Sequence, residues 1–340
     1  MRIPYPLRSM NLDRLTAGVL VDAVAFDRTR RSVKVSEVDR FVVSALERLC
    51  SCVLVKPFAA AADLLHWIET EKLDFVFNAT ERIDDDATQD AHICALLELA
   101  QVPYTGTSPR GLVLCRDKAV SKMIVAATGF AVPWFFTIRH DDARLPSRLR
   151  LPLVVKPRFG DASDHISRRS FVTTRVALQH RVDSLCRAGA GDLICEEYVE
   201  GREMFVAILD GEVLPPREVL FRGTSPMPRL LTARIKRDVA VRRRHGVRTA
   251  FAVVSPTLRR SLDSVAIRAF DALSLRDYAR FDVKLTAAGD WVFLEANPNP
   301  PIAPAGKSFT GSWTLRDFDD VVTRIVCSTL ERARRSGFES

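Results

Sequence analysis

Apolar and polar positions along the chain repeat with two different periods, and the switch between them predicts the elements. "TAGVLVDAV" is a short apolar run that predicts a strand, and "SEVDRFVVSALERLC" spaces its apolar residues as a helix opened by Ser36. "SCVLVKPF" predicts a second strand, "AADLLHWIETEK" a second helix, "LDFVFNA" a third strand and "DAHICALLELAQ" a third helix. The last leads into "VPYTGTSP", a strand-like piece that breaks at Gly106 and Pro109. Strands alternating with helices at this spacing predict an open parallel sheet, here an α/β domain over residues 1–109.

From Arg110 the texture changes. "CRDKAVSKMIVAATGF" predicts a helix ended by Gly129. "VPWFFTI", "LPLVVKPRFG" and "DLICEEYVEG" read as strands, with a helix around "VALQHRVDSLCRAG" between the last two. After Gly201 come an Asp-Gly hairpin in "EMFVAILDGEVLPPREVLF", a basic stretch, the helix "LRRSLDSVAIRAFDAL", a second hairpin and the closing helix "FDDVVTRIVCSTLERARR". The expected divisions are 110–200 and 201–340, with no internal repeat and no low-complexity tract.

The second hairpin, "YARFDVKLTAAGDWVFLEANP", carries the candidate chemistry. A turn at Ala287–Asp290 sets Asp282 across from Glu295 and Arg280 across from Asn297, all four on one face. Phe281, Val283, Leu285, Val292, Leu294 and Ala296 then form a uniformly apolar opposite face. Two facing carboxylates repel unless a cation, a proton or a base lies between them. Hard oxygen ligands favour Mg²⁺, or Mn²⁺ in its place, and Mg²⁺ held by few protein ligands usually also holds phosphates. A solvated hairpin with incidental charges is the alternative, and Trp291, Phe293 and Leu294 are too apolar for it.

Charge and cysteine content narrow the classes further. A net charge of +8 over 340 residues suits an acidic partner: a nucleotide, a phosphorylated metabolite, a carboxylate or nucleic acid. The seven cysteines include Cys50 and Cys52, but no histidine or second pair follows at zinc spacing, so reduced thiols in a cytoplasmic protein are expected. Asp13, Arg14 and Asp22 interrupt the N-terminal apolar segment, which reads as neither signal peptide nor anchor. No run approaches the roughly 20 apolar residues that span a membrane.

Strung in order, "DFVFNAT", "LLELAQVPYTGTSP", "RDKAVSK", "LPLVVKP", "CEEYVEGRE", "YARFDVKL" and "FLEANPNP" resemble the ATP-grasp superfamily, in its D-alanine–D-alanine ligase-like branch, over about residues 74 to 326. The resemblance implies a three-domain ATP-grasp fold, an N-terminal open parallel-sheet domain followed by two α+β domains that clamp ATP. It also implies an ADP-forming ligase that activates a carboxylate as an acyl phosphate and lets an amine displace phosphate. Carried over residue by residue, Lys118 and Lys156 contact ATP phosphates, and Ser163 lies in the small-residue loop beyond Lys156. Glu196 meets the adenine amine, the Tyr198–Val199 backbone lines the base, Glu197 belongs to the same nucleotide-binding stretch, and Glu203 takes the ribose hydroxyls. Asp282, Glu295 and Asn297 hold the metal, Arg280 stabilises the acyl phosphate, and Lys236 reaches the γ-phosphate from a mobile, basic segment over residues 229–248.

The departures from the family pattern are local. Asp164 and His165 stand where a flexible glycine-containing turn is expected, Pro301 replaces a glycine whose amide serves an oxyanion hole, and Gly306 aligns with a substrate-binding serine. Thr88-Gln89-Asp90-Ala91 corresponds to a Gly-Glu-Asp-Gly loop. The expected substrates are therefore a small-molecule carboxylate and amine, amino acids or a small peptide, rather than two D-alanines. A homodimer is compatible with this reading. The rival reading is a nucleotide-binding protein with weak turnover. Nucleic-acid binding by "RIKRDVAVRRRHGVR" is disfavoured, because no aromatic platform is interleaved with the charge.

Overall fold

In the computed structural model, which describes residues 11–22, 26–27, 32–33, 36–83, 86–160, 165–222, 229–304, 306–310 and 317–335, the chain divides into two units. One comprises Met1–Pro109 with Asn299–Ser340, and the other Arg110–Pro298. The closing helix, Phe318–Arg335, thus groups with the first unit, whereas the three-domain division counted it with residues 201–340. Its N-terminal end explains this: Phe318 meets Phe41 edge to face at 6.4 Å, and Asp319 accepts from Arg48 Nε at 2.7 Å.

The first unit contains β1 (Thr16–Val21), the paired two-residue strands β2 (Phe26–Asp27) and β3 (Ser32–Val33), α1 (Glu37–Leu49), β4 (Cys52–Pro57), α2 (Ala61–Glu71), β5 (Phe75–Asn78) and α3 (Asp90–Leu99). Its sheet is parallel, as the β/α alternation predicts, and its order is β4-β1-β5. Ser36 caps α1, its hydroxyl accepting from the Asp39 amide at 3.0 Å. Gly18 is required by packing, since a Cβ there would lie 2.7 Å from both Trp67 and Leu73. "VPYTGTSP" forms no strand beyond a single bridge from Tyr104 to Val76, because the Thr105 hydroxyl takes the Asn78 amide in place of a ladder bond.

The second unit begins with α4 (Pro109–Arg116) and α5 (Lys118–Ala127), not one helix from Cys115. Asp117 makes the break, its carboxylate accepting from the Ala119 and Val120 amides and so capping α5. A four-stranded antiparallel sheet, ordered β6-β9-β7-β8, is built from β6 (Phe135–Ile138), β7 (Leu153–Pro157), β8 (Phe171–Val172) and β9 (Leu193–Glu197), backed by α6 (Arg175–Arg187). A six-stranded sheet follows: β10 (Arg202–Leu209), β11 (Glu212–Val213), β12 (Arg217–Phe221), β13 (Val247–Phe251), β14 (Tyr278–Leu285) and β15 (Trp291–Asn297), in the order β13-β12-β10-β14-β15 with β11 on β10. The Asp210–Gly211 turn has positive φ at both residues, 50° and 72°, as a type I′ hairpin requires.

The basic stretch holds two short helices, α7 (Ala233–Arg237) and α8 (Val239–Arg244), and then β13. Helix α9 (Pro256–Ala272) and α5 cover one face of the large sheet. There Leu262, Ala266 and Phe270 meet Met204, Val206, Phe281, Val283 and Phe293 in one core. The opposite face carries the charged residues.

Candidate functional site

The half of the hairpin that carries the two carboxylates has the expected register: Arg280 pairs with Asn297, and Asp282 with Glu295. Beyond Asp282 the register shifts by one, so that Val283 pairs with Phe293 and Lys284 with Val292. Leu294 is the extra residue of a β-bulge. The bulge corrects the expected apolar face. Trp291 and Phe293 turn into the core, whereas Leu294, assigned to the core by simple alternation, lines the cleft. A one-residue slip flips side chains between faces, and burying two aromatic rings outweighs burying Leu294. The bulge carbonyl is also used, since Leu294 O accepts from Lys122 Nζ.

Above this face lies a cleft of about 640 Å³ lined by Lys156, Glu196, Glu197, Tyr198, Val199, Glu203, Lys236, Asp282, Lys284 and Glu295, with Ile166, Leu230, Leu231 and Leu294 among its apolar walls. Antiparallel pairing aligns Val154 with Glu196 and Lys156 with Ile194, which turns Lys156 and Glu196 to the same side. Glu203 lies across the ladder from Lys284. Thr232 caps α7 by accepting from the Ile235 amide, and this helix brings Lys236 Nζ to 3.6 Å from Asp282 and 3.7 Å from Glu295. Arg280 donates from Nε to Asp282 at 2.8 Å and lies over the Phe205 ring at 5.1 Å.

Of the expected residues, Lys118 stands beside the cleft lining, its ammonium donating to the Gly160 carbonyl at 2.6 Å. Its amide reaches Arg158 O, and Arg158 grips Asp117 with two bonds of 2.9 and 2.6 Å. Ser163 and Asp164 lie outside the described residues. His165 has a positive φ of 60°, and its carbonyl accepts from Arg181. Asn297 Nδ2 is 3.4 Å from Asp282 Oδ1.

Glu196 departs from a simple amine acceptor. Its two oxygens are each 2.9 Å from an ammonium, Lys122 on one side and Lys156 on the other, all deeply buried. Burial pushes the Glu196 carboxyl up, but Lys122 and Lys156 outweigh it and hold the group below the usual carboxylate range. Burial also pulls both lysines down. For Lys156 the carboxylates of Glu196, Glu295 and Asp282 more than compensate, whereas Lys122 stays lowered. Burial raises Glu295 too, yet Lys236, then Lys156, Lys118 and Lys122, bring it well below normal.

The donor set fits a divalent cation. Two facing carboxylates and an amide offer hard oxygens, and the Lys236 ammonium already lies between the carboxylates as a cation would. Among the described residues no group of three or more His, Cys, Asp or Glu could hold a metal ion. Such an ion therefore needs further oxygens, and phosphates would supply them.

Lys284 in the cleft lining and Lys122 against Glu196 are the charged residues here that the sequence motifs did not single out. The signal was present: Lys122 follows Lys118 by one helical turn, and Lys284 follows Asp282 by one strand period.

The D-ala D-ala ligase C-terminus family matches residues 124–312. The chain is 36% identical over 231 residues to the uncharacterized protein y4sG of Sinorhizobium fredii, a match covering 67% of this chain and 66% of that one. It is 32% identical over 282 residues to the D-alanine–D-alanine ligase of Oleidesulfovibrio alaskensis, covering 77% of this chain and 80% of the relative. In fold it matches the D-alanine–D-alanine ligase of Bacillus anthracis crystallised with ATP, with a TM-score of 0.72 at 17% identity over 96% of this chain and 100% of that one. The chain belongs to the D-alanine–D-alanine ligase-like family of ATP-grasp proteins, ADP-forming carbon–nitrogen ligases.

Proposed function

We propose that this protein forms an amide or peptide bond between a small-molecule carboxylate and an amine through an acyl phosphate, using ATP and Mg²⁺, on amino acids or a small peptide other than two D-alanines. The observation that carries the reading is the pairing of Asp282 with Glu295, with Asn297 beside them on the strand, in a cleft that Tyr198, Val199 and Glu203 also line. A triphosphate laid along the cleft passes Lys156 and Lys236, point charges suited to its phosphates. Asp282, Glu295 and Asn297 would hold Mg²⁺, which neutralises phosphate charge when bound. The substrate carboxylate oxygen then bonds to the γ-phosphorus with release of ADP. Arg280, fixed by Asp282 and Phe205, is oriented to stabilise the resulting anion. The amine nitrogen attacks the acyl carbon, phosphate leaves, and the amine proton is lost to solvent or phosphate. Leu230 and Leu231 bound the cleft on the side of α7 and help to exclude water.

A panel of carboxylates and amines, each with ATP and Mg²⁺, tests this by ADP release and mass spectrometry of the products. Amide formation coupled to ADP supports it. Nucleotide binding without turnover on any pair would favour the weak-turnover reading.

A further inference from the structure

Lys284 is a charged residue of the cleft lining to which the proposed function gives no task. It lies on β14 two positions beyond Asp282 and on the same face, so roughly 7 Å along the strand from the carboxylate pair at about 3.4 Å per residue. The β10–β14 register sets Glu203 directly opposite, and Lys284 Nζ is 3.2 Å from Glu203 Oε2. The two side chains are 6% and 11% exposed. The ammonium also lies 5.6 Å from the centre of the Tyr198 ring. An ion pair that merely tied two strands together would face solvent or core. This one lines the 640 Å³ cleft and also a neighbouring cavity of about 1010 Å³, and Tyr198 is common to both.

We propose that Lys284 is a specificity-determining residue for the nucleotide, reading together with Glu203 the vicinal hydroxyls of a ribose. The inference rests on the cleft being the nucleoside triphosphate site. A hydroxyl is both donor and acceptor, a carboxylate only accepts, and an ammonium only donates. The Lys284–Glu203 contact uses one of three ammonium donors and one of about four carboxylate acceptor sites. What remains suits two adjacent hydroxyls, each giving its proton to Glu203 and accepting from Lys284. A 2′-deoxy or 3′-deoxy sugar would leave a buried charged group short of a partner, and a site built around a hydroxyl rejects the analogue that lacks it. Lys284 further holds the Glu203 carboxylate in position through the 3.2 Å contact.

The test is calorimetric affinity of the full-length protein for ATP, 2′-deoxy-ATP and 3′-deoxy-ATP with Mg²⁺, in wild type, Lys284→Met, Lys284→Arg, Glu203→Gln and the Lys284→Met/Glu203→Gln double variant. The wild type should prefer ATP over each deoxy analogue by at least about 10-fold, the effect of one hydrogen bond to a charged group. Lys284→Met should compress that ratio severalfold, and Lys284→Arg should keep most of it. In the Glu203→Gln background the Lys284→Met change should add nothing further. The double variant buries no lone charge, so it gives a reading even if Lys284→Met fails to fold. An unchanged ratio in Lys284→Met, or equal weakening of ATP and both analogues, overturns the inference while leaving the cleft as the nucleotide site. Absence of ATP binding by the wild type would overturn both.

Discussion

At the scale of single residues, the site depends on charges removed from water and matched to one another. Glu196 is the clearest case, 4% exposed and flanked by Lys122 and Lys156 at 2.9 Å each. Breaking a buried pair by removing one partner typically costs about 3–5 kcal/mol, because the other charge stays behind. The folded-state pKa of Glu196 is depressed below its ordinary 4.5, so its contribution is present above that value and is lost as pH falls further. Glu196→Gln should therefore lower the melting temperature at pH 7, and the deficit relative to wild type should shrink as pH drops below 4.5. Thermal melts between pH 3 and 7 check this, and a constant deficit would contradict it. The hairpin carboxylates were legible in the sequence because alternation and a turn at Ala287–Asp290 together set Asp282 against Glu295. The partners of Glu196 were not, because Lys122 reaches it from helix α5 and such a contact has no period in the sequence.

At the scale of elements, the bulge at Leu294 decides which side chains face the cleft. The Asp-Gly hairpin and the parallel pairing of β1 with β4 and β5 follow from local pattern, whereas the strand order does not. The bulge does not, since it depends on where Trp291 and Phe293 find a core against α9 and α5. Two substitutions separate the observed register from simple alternation. Phe293→Ala should destabilise by about 3–5 kcal/mol. Leu294→Ala should cost much less stability and weaken nucleotide binding instead. Urea unfolding with calorimetry measures both, and the reverse ranking would contradict the bulge. The basic segment offers a second test. Lys236 reaches Asp282 and Glu295 at 3.6 and 3.7 Å, contacts that a bound divalent cation would replace. ATP analogue with Mg²⁺ should therefore protect residues 229–248 from trypsin as Lys236 turns to the phosphates. Equal cutting with and without ligand would remove Lys236 from the site. The short helices α7 and α8 escaped pattern reading because their dense charge hides the caps at Thr232 and Asp238.

At the scale of the whole molecule, family and fold were legible from an ordered series of short motifs, and the pairing chemistry of the hairpin gave them physical content. The family resemblance implies a changed acceptor side, with Pro301 where a glycine is expected and Gly306 where a serine is expected. Proline has no amide to donate, and losing one oxyanion donor typically costs about 10²–10³ in rate. D-Alanine alone should accordingly support ADP release at least about 100-fold more slowly than the best carboxylate–amine pair found. Efficient D-alanyl-D-alanine formation would show that these substitutions are compensated. No helix among the described residues is long and apolar enough to cross a membrane. The central claim is that a carboxylate oxygen is phosphorylated before the amide forms, and one isotope experiment tests it directly. The carboxylate substrate is labelled with ¹⁸O and turned over with ATP, Mg²⁺ and the amine, and the released phosphate is analysed by mass spectrometry. One ¹⁸O in each phosphate per amide formed is the predicted result, absent in Glu295→Gln. Amide formation with unlabelled phosphate would contradict the account.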